Sequence, residues 1–528
     1  MIKTDVRLEL SYTEDDIINA LTRRLPISRG EIKHLGIRKR KLNIKNKRDP
    51  HYTATVALSL DPVREEGLLK MKKKVAPAED LTLTVKKSAR SISPVVVGAG
   101  PAGLFAALIF AEAGLPVTVL ERGLDVDSRR LTVERFNKDG ALDCECNVQF
   151  GEGGAGAFSD GKLKYGALDK YKMKVLSEFV LAGADEAVRY SDNAHLGTDR
   201  LGGIIKKIRE KIISLGGRFI FSARLFDIEI ESGRVTAAVY EKDGVTHRIP
   251  TDALILATGH SARDVFELLL SKGAALQPRP FGIGVRVEHP REYVNRMVYG
   301  EDYDPRLPTA SYHLVTHLPS GRSVYSFCMC PGGTVVAAAS ACERVVTNGM
   351  SEYKRDGENS NSALLVSVTP EDFPSSHPLS GLDLQREIER KAFLAGGGSY
   401  RAPAVTMAEF MGREEKALAV TPTYPRGTVR ASLDGVLPPF VTQSLREAID
   451  DFDEWMPGFY CPSSVLTAAE TRSTSPVRVL RSENYEALGI SGLYPVGEGA
   501  GYAGGIVSSA TDGLKCALGI ALGEEKKA

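Results

Sequence analysis

The stretch Val95-Val96-Val97-Gly98-Ala99-Gly100-Pro101-Ala102-Gly103 decides how this chain folds. A short apolar strand (94–97) runs into G-x-G-x-x-G and then into an apolar helix over 101–113. A second apolar strand, 117–120, ends in Glu121, eighteen residues after Gly103. Strand, glycine turn, helix, strand and terminal acid together make the fingerprint of a βαβ dinucleotide-binding unit. Gly98 allows the tight turn. Gly100 removes a side chain where a diphosphate must approach the backbone, and Gly103 lets helix and strand pack closely. Pro101 and Ala102 open the helix, whose free N–H groups and positive end attract the diphosphate. The Glu121 carboxylate is expected to accept hydrogen bonds from a ribose, with Arg122 beside it. The window 95–113 is too interrupted for a membrane span, since it holds three glycines, Pro101 and Glu112.

Composition limits what surrounds this unit. The chain has 528 residues, 43% hydrophobic and 26% charged, and at roughly 150 residues per domain it should hold about three domains. A net charge of +1 excludes a wholly basic nucleic-acid coat and an acidic disordered chain. That total hides an asymmetry. Residues 1–90 carry 21 Lys+Arg against 12 Asp+Glu, leaving 47 against 55 for the remainder. This first part reads as a small α+β unit, with strands at 6–10, 41–44 and 52–60 and a helix at 13–25 capped by Thr13. A linker with Lys72, Lys73, Lys74, Pro77 and Lys86 follows. The basic run 33–48 could meet the phosphates of a nucleic acid, but it has little aromatic interleaving for base stacking. A solvated face is the favoured reading. The seven cysteines are odd in number and scattered, and the two C-x-C pairs lack nearby histidine ligands, so neither a disulfide framework nor a metal site is expected. MIKTDVRLEL has no apolar signal region, and the expected location is the cytoplasm.

Downstream, a helix at 201–215 precedes three alternating runs, 218–221, 225–231 and 235–241, and a buried strand at 253–257 ends in Thr258-Gly259. Strand runs at 283–287, 335–339 and 364–368 follow among Pro- and Gly-rich loops, and polar 359–362 reads as a loop. A short strand at 493–496, a second glycine cluster at 497–501 and a helix at 506–522 close the chain. The return to a Gly-acid pair, Gly497-Glu498, about 400 residues after the first glycine motif resembles the glutathione-reductase-like FAD superfamily. Longer segments narrow this: 150–163 (FGEGGAGAFSDGKL), 257–264 (ATGHSARD), 280–290 (PFGIGVRVEHP), 330–333 (CPGG), 359–363 (NSNSA), 470–478 and 494–506. Together they resemble the bacterial-type NAD(FAD)-utilizing dehydrogenase family of FAD-dependent proteins.

The resemblance implies an α/β fold: a Rossmann-like FAD-binding domain of glutathione-reductase type, an inserted substrate or cap domain and a small N-terminal α+β domain. The expected division is 1–90, 91–280 and 462–528 for FAD, and 281–461 for the insert. It implies FAD as cofactor, with NAD(P)H admitted as a transient electron donor. The flavin-facing residues it implies are Gly153, Gly154 and Ala155, with Ser159 and Lys162 nearby. To these it adds Leu225, Ala257-Thr258-Gly259, Gly497-Glu498 and Gly504-Gly505-Ile506. His260, Arg472 and Arg478 are the candidates to meet substrate, the arginines because a planar cation suits an anionic group. Because a flavin carries its own redox chemistry, no catalytic acid or base is singled out. His195 reads as structural, next to a helix capped by Thr198. Cys328 and Cys330 share a face on an extended strand, where bridging them would be strained. The leading function is an FAD-dependent oxidoreductase acting on a small molecule. The alternatives are a flavin-dependent RNA-modifying protein that uses the basic N-terminal unit, and a non-catalytic flavoprotein.

Overall fold

The three valines of Val95–Val97 have no polar face to offer solvent, so they form a strand covered on both sides. They sit at the centre of a five-stranded parallel sheet ordered Leu493–Pro495, Leu254–Leu256, Val95–Val97, Thr118–Leu120, Arg218–Ile220. The helix Pro101–Glu112 is apolar all round and buried from Ala102 to Ala111, as a core helix must be. The last helix, Ile506–Leu522, packs against it. Their approach depends on glycine, because a Cβ at Gly513 would lie 2.0 Å from the Ala102 carbonyl oxygen. A three-stranded meander, Arg224–Glu231, Arg234–Lys242 and Val245–Pro250, lies beside the parallel sheet. The structure is a computed structural model that describes residues 1–70, 74–413 and 420–523. Lys72 and Lys73 of the basic linker lie outside them.

A second, larger sheet of seven strands is ordered Val315–His317, Ser323–Cys330, Asn359–Val368, Phe281–Pro290, Val465–Glu470, Ala402–Thr406, Thr428–Arg430. Two expectations change here. Residues 359–362 are strand, not loop: Asn359–Val368 pairs with Phe281–Pro290 along its whole length. Its polar residues are buried because partners meet them. Asn359 Nδ2 donates to Glu288 Oε1 at 3.2 Å, Ser360 Oγ accepts from Gly332 N at 3.0 Å, and Asn361 Oδ1 accepts from Arg286 at 3.2 Å. Val465–Glu470, which lies beyond 461, pairs with Phe281–Pro290 and Ala402–Thr406 and so belongs to this sheet. All six of its residues are buried, and only a sheet covered on both faces can take such a run.

The N-terminal unit is a four-stranded sheet, His34–Asn43, His51–Ser59, Ile2–Leu8, Ala76–Pro77, with the helix Glu14–Arg24 packed on it. Thr13 caps that helix reciprocally with Asp16. The basic run extends as the edge strand His34–Asn43. One of its cations is enclosed: the Arg40 guanidinium lies over Tyr12, Tyr52 and Tyr190 at 5.8, 4.8 and 5.4 Å from the ring centroids. Arg40 N also donates to the Tyr190 carbonyl at 2.7 Å, which fastens the unit to the body of the chain. Thr198 does not cap its helix. Gly197 holds the cap position, and Thr198 Oγ1 donates to the Ala157 carbonyl.

The closeness of helix and strand at the first glycine motif is testable. A Cβ at Gly103 would stand 1.8 Å from the Gly98 carbonyl oxygen and 3.2 Å from Val96 Cγ1. Gly103→Ala is expected to cost on the order of 3 kcal/mol, read as a lowered midpoint in chemical unfolding followed by circular dichroism.

Candidate functional site

A cavity of about 630 Å³ opens where the two glycine clusters, the segment 150–162 and one face of the large sheet meet. Its size is that of a small-molecule site, for which about 300–1,000 Å³ is usual. Helix Pro101–Glu112 presents Gly100, Pro101 and Ala102 to it, and helix Ile506–Leu522 presents Gly505, Ile506 and Ser508. Neither helix has a side-chain cap at its first turn, so both send unpaired N–H groups and positive ends into the same space. Gly98 has φ +102°, and a Cβ there would be 2.4 Å from the Ala257 carbonyl oxygen. Gly154 has φ +62°, and a Cβ on it would be 3.1 Å from Gly100 Cα. Two bare backbones therefore face each other at the mouth of two helix dipoles, an arrangement that fits a dinucleotide diphosphate.

Of the expected cofactor residues, Gly98, Glu121, Arg122, Ala155, Ser159 and Lys162 line the cavity. So do Leu225, Ala257, Thr258, Gly259 and Gly497, together with Glu498 and Gly504. Gly103 and Gly153 do not. Gly103 packs helix on strand, and a Cβ at Gly153 would run into Ile205 Cδ1 at 2.4 Å. Glu121 is a backbone organiser. Its Oε2 accepts from Ala99 N at 2.7 Å, and its Oε1 accepts from Gly123 N and Gly151 N, both at 2.9 Å. A ribose would share a carboxylate already engaged on both oxygens. Arg122 is tied to Glu145 and Asp264 and lies over the Phe150 ring.

The substrate candidates separate. His260 lines the cavity with Nδ1 3.0 Å from Ser261 Oγ, and burial beside Arg472 and Arg263 lowers it to about 3, so it is neutral at pH 7. Arg472 also reaches the wall, but its guanidinium spends four of its five N–H donors on protein partners. Nε and Nη2 pair with Glu389 at 3.0 Å each, and Nη1 donates to Ser261 and Ser340. Arg263 binds the same Glu389, whose carboxyl the two arginines hold down to about 2 against its burial. Arg478 lies outside the lining: it donates to the Gly501 carbonyl and stacks on Tyr502. His195 lies outside the lining; its Nε2 is 2.9 Å from the Tyr353 carbonyl, its Nδ1 3.4 Å from the Asn193 carbonyl, and its ring stacks on Tyr353.

Sequence reasoning missed the residue that shapes the site. Arg129 is wholly buried on helix Val126–Asp139. Its guanidinium donates to the carbonyls of Asn147, Val148, Gly151, Glu152 and Gly154 at 2.7–3.2 Å. A signal was present. Val126, Arg129, Val133 and Phe136 fall on one apolar stripe, and an arginine on such a stripe needs a buried partner. On the far wall the large sheet supplies Phe327 and Cys328, and the loop before Val315–His317 supplies Tyr312 and His313. Cys144, unpaired with Cys146, has its sulfur 3.4 Å from that of Cys342. Among the described residues no group of three His, Cys, Asp or Glu is placed to hold a metal ion. No helix among them is long and apolar enough to cross a membrane.

Comparison with known proteins agrees with this geometry. Residues 280–473 match the family described as FAD-dependent protein, C-terminal domain-like, and 93–129 match an FAD binding domain. A protein of Clostridium beijerinckii described as "Uncharacterized protein" is 43% identical over 521 residues, spanning 96% of this chain and 97% of its own. The chain belongs to this family of FAD-dependent proteins. Among solved structures, a flavoprotein/dehydrogenase from Cytophaga hutchinsonii overlaps 83% of the chain and 80% of its own at 13% identity and a TM-score of 0.37. A 3-ketosteroid dehydrogenase from Rhodococcus jostii overlaps 83% and 100% at 14% identity and a TM-score of 0.33. At that similarity neither adds to the assignment.

In this FAD-dependent protein Glu498 faces the cavity, and burial raises its carboxyl to about 7, with Arg279 opposing and Cys328 adding to the rise. A carboxyl raised on folding favours the folded state at low pH, and that contribution is lost as pH climbs from about 4.5 through about 7. Flavin-stripped Glu498→Gln should therefore match the wild type in thermal midpoint near pH 4.5 and exceed it by pH 8. Arg129→Met removes a donor from five carbonyls, of which those of Gly151 and Gly154 also accept from a backbone N–H. It should cost on the order of 3–5 kcal/mol and empty the protein of flavin, measured as absorbance released on denaturation.

Proposed function

We propose that this FAD-dependent oxidoreductase acts on a small anionic substrate bound between the flavin-facing loops and the large sheet, with NAD(P)H as its electron partner. The observation that carries it is the pair Lys162 and Lys164 on the cavity wall. The nearest carboxylate, Asp160, lies 4.0 Å from Lys162 Nζ and is already held by Arg355 through two hydrogen bonds. Lys164, at the rim, has no carboxylate within ion-pair distance among the described residues, and partial burial beside Lys162 lowers its affinity for a proton. Two cations under-compensated in a concave wall attract an anion. Bound FAD supplies the hydride or electron chemistry. The chain's own groups orient and exclude: the two helix ends hold the diphosphate, neutral His260 and the Arg472–Glu389 pair form a rigid dry wall, and Glu498 holds or releases a proton near neutrality.

The division into an N-terminal unit, a split FAD part and an insert belongs to the same reading, as does the glutathione-reductase-like arrangement of the FAD part. What supports both is the return of Leu493–Pro495 to the parallel sheet beside Leu254–Leu256. The RNA-modifying alternative has less behind it, because Arg40 is spent on docking the basic unit to the body.

Anaerobic stopped-flow mixing with NADH and NADPH in parallel should bleach the flavin with at least one of them. An acceptor panel split by charge should then show turnover with anionic members. Replacing Lys162 and Lys164 together by alanine should raise KM for those members on the order of tenfold with flavin content retained. An unchanged KM across the anionic acceptors would sink the substrate reading.

A further inference from the structure

The strand Ser323–Cys330 carries Cys328 into the cavity wall and Cys330 directly behind it, fully buried. On a regular strand residues two apart share a face, but their Cα atoms stand about 6.7 Å apart, the upper edge of what a disulfide spans. This strand is not regular. Its pairing with Asn359–Val368 slips between Phe327 and Cys330, and Cys328 takes φ +42°, in the left-handed region that a cysteine rarely enters. The irregularity is held from two sides. Arg286 Nη1 donates to the Cys328 carbonyl at 2.9 Å, and Cys330 Sγ donates to the same carbonyl at 3.1 Å. Arg286 is itself wholly buried and paired with Glu470 at 2.6 Å, so this clamp is rigid.

The surroundings treat the two sulfurs differently. The adjacent Cys330 side chain, and then the Lys162 and Arg286 cations, lower the Cys328 thiol from its ordinary range. The Cys328 side chain and burial raise Cys330. One thiolate-prone sulfur facing the cavity and one protonated sulfur behind it is the asymmetry that thiol–disulfide exchange uses. Cys328 shares its cavity with the uncapped helix ends and with Glu498, whose proton affinity it helps to raise. Backbone strain of this kind persists where surrounding structure over-determines it, and it concentrates at functional sites.

We propose that Cys328 and Cys330 form a redox-active pair that exchanges two electrons with the bound flavin. In the oxidising direction both S–H bonds break and one S–S bond forms. The two electrons pass to oxidised FAD, and the two protons pass to the reduced flavin and the solvent. In reverse, reduced FAD returns two electrons to the S–S bond and two protons regenerate the thiols. The pair would let the protein pass flavin electrons to a disulfide-containing substrate or accept them from a dithiol. The inference rests on FAD occupying this cavity and deepens the reading of its substrate.

The test uses the FAD-loaded full chain, first oxidised with diamide and freed of reagent, then titrated anaerobically with dithionite. Wild type should take up four electrons per flavin, and Cys328→Ser and Cys330→Ser should each take up two with their flavin retained. A peptide map without reductant should show one peptide containing both Cys328 and Cys330, lighter by two hydrogens and closed to alkylation. A Cys144–Cys342 bond would instead join two separate peptides and would be removed beforehand by Cys342→Ser. In flavin-stripped protein the same dithionite should leave the Cys328–Cys330 bond intact. Uptake of only two electrons by flavin-loaded wild type, a map with both thiols free, or equal reduction of the bond without flavin would each overturn the pair while leaving the flavin site standing. A chain that takes up no FAD would overturn both.

Discussion

One guanidinium organises the flavin end of this molecule. Arg129 gives its hydrogen bonds to carbonyls of 147–154, a segment that turns back on itself and has no secondary structure to satisfy its backbone. A buried loop with unpaired carbonyls would cost several kcal/mol. Supplying one charged donor set from a helix removes that cost and sets the loop's shape. One of the loop's glycines follows from this, since a Cβ at Gly151 would sit 2.3 Å from Arg129 Cδ. Glu121 completes the frame from the other side by binding Ala99, Gly123 and Gly151. Burial lowers Arg129 to about 10, so it remains charged at neutral pH and the frame holds there.

The opposite wall is built by a different rule. The large sheet buries Arg286 with Glu470, Glu288 with Asn359 and Thr423, and Ser360 with Gly332 N. Each group is tolerated because its partner is fixed on a neighbouring strand or in a loop held against the sheet. Such a wall is rigid, and it keeps Cys328 in a backbone conformation that a pliable sheet would relax. Arg263, Arg472 and Glu389 do the same between the helix that carries Arg263, the helix that carries Glu389 and the end of the sheet. An arginine in a cleft reads from sequence as an anion binder. Here Arg263 and Arg472 are held by one carboxylate, Glu389, and the under-compensated charge open to the cavity sits at Lys162 and Lys164.

The basic N-terminal unit has a clearer place than its charge suggested. Arg40 enters a cage of three tyrosines, one of them, Tyr190, from the flavin-side body. The unit is thus joined through a residue that counted as surplus charge.

The apolar strands, the glycine turn and the closing acid had to be read as a βαβ nucleotide unit, because local sterics alone specify them: a positive φ at Gly98, no room for a Cβ at Gly103, no polar face on 95–97. The second glycine cluster was legible for the same reason. The N-terminal helix was legible from its spacing and from Thr13 as its cap, and the structure adds Asp16 as the cap's reciprocal partner. What needed the tertiary structure was every decision made by a partner distant in sequence. Polar 359–362 became strand only because Glu288, Gly332 and Arg286 meet it. Val465–Glu470 joined the large sheet only because Phe281–Pro290 offered an edge. Arg472 lost its role as an anion binder to Glu389, 83 residues away. Sequence encodes what a backbone can do at each position; which buried charge meets which carbonyl depends on where the fold brings them, and here that choice set the site.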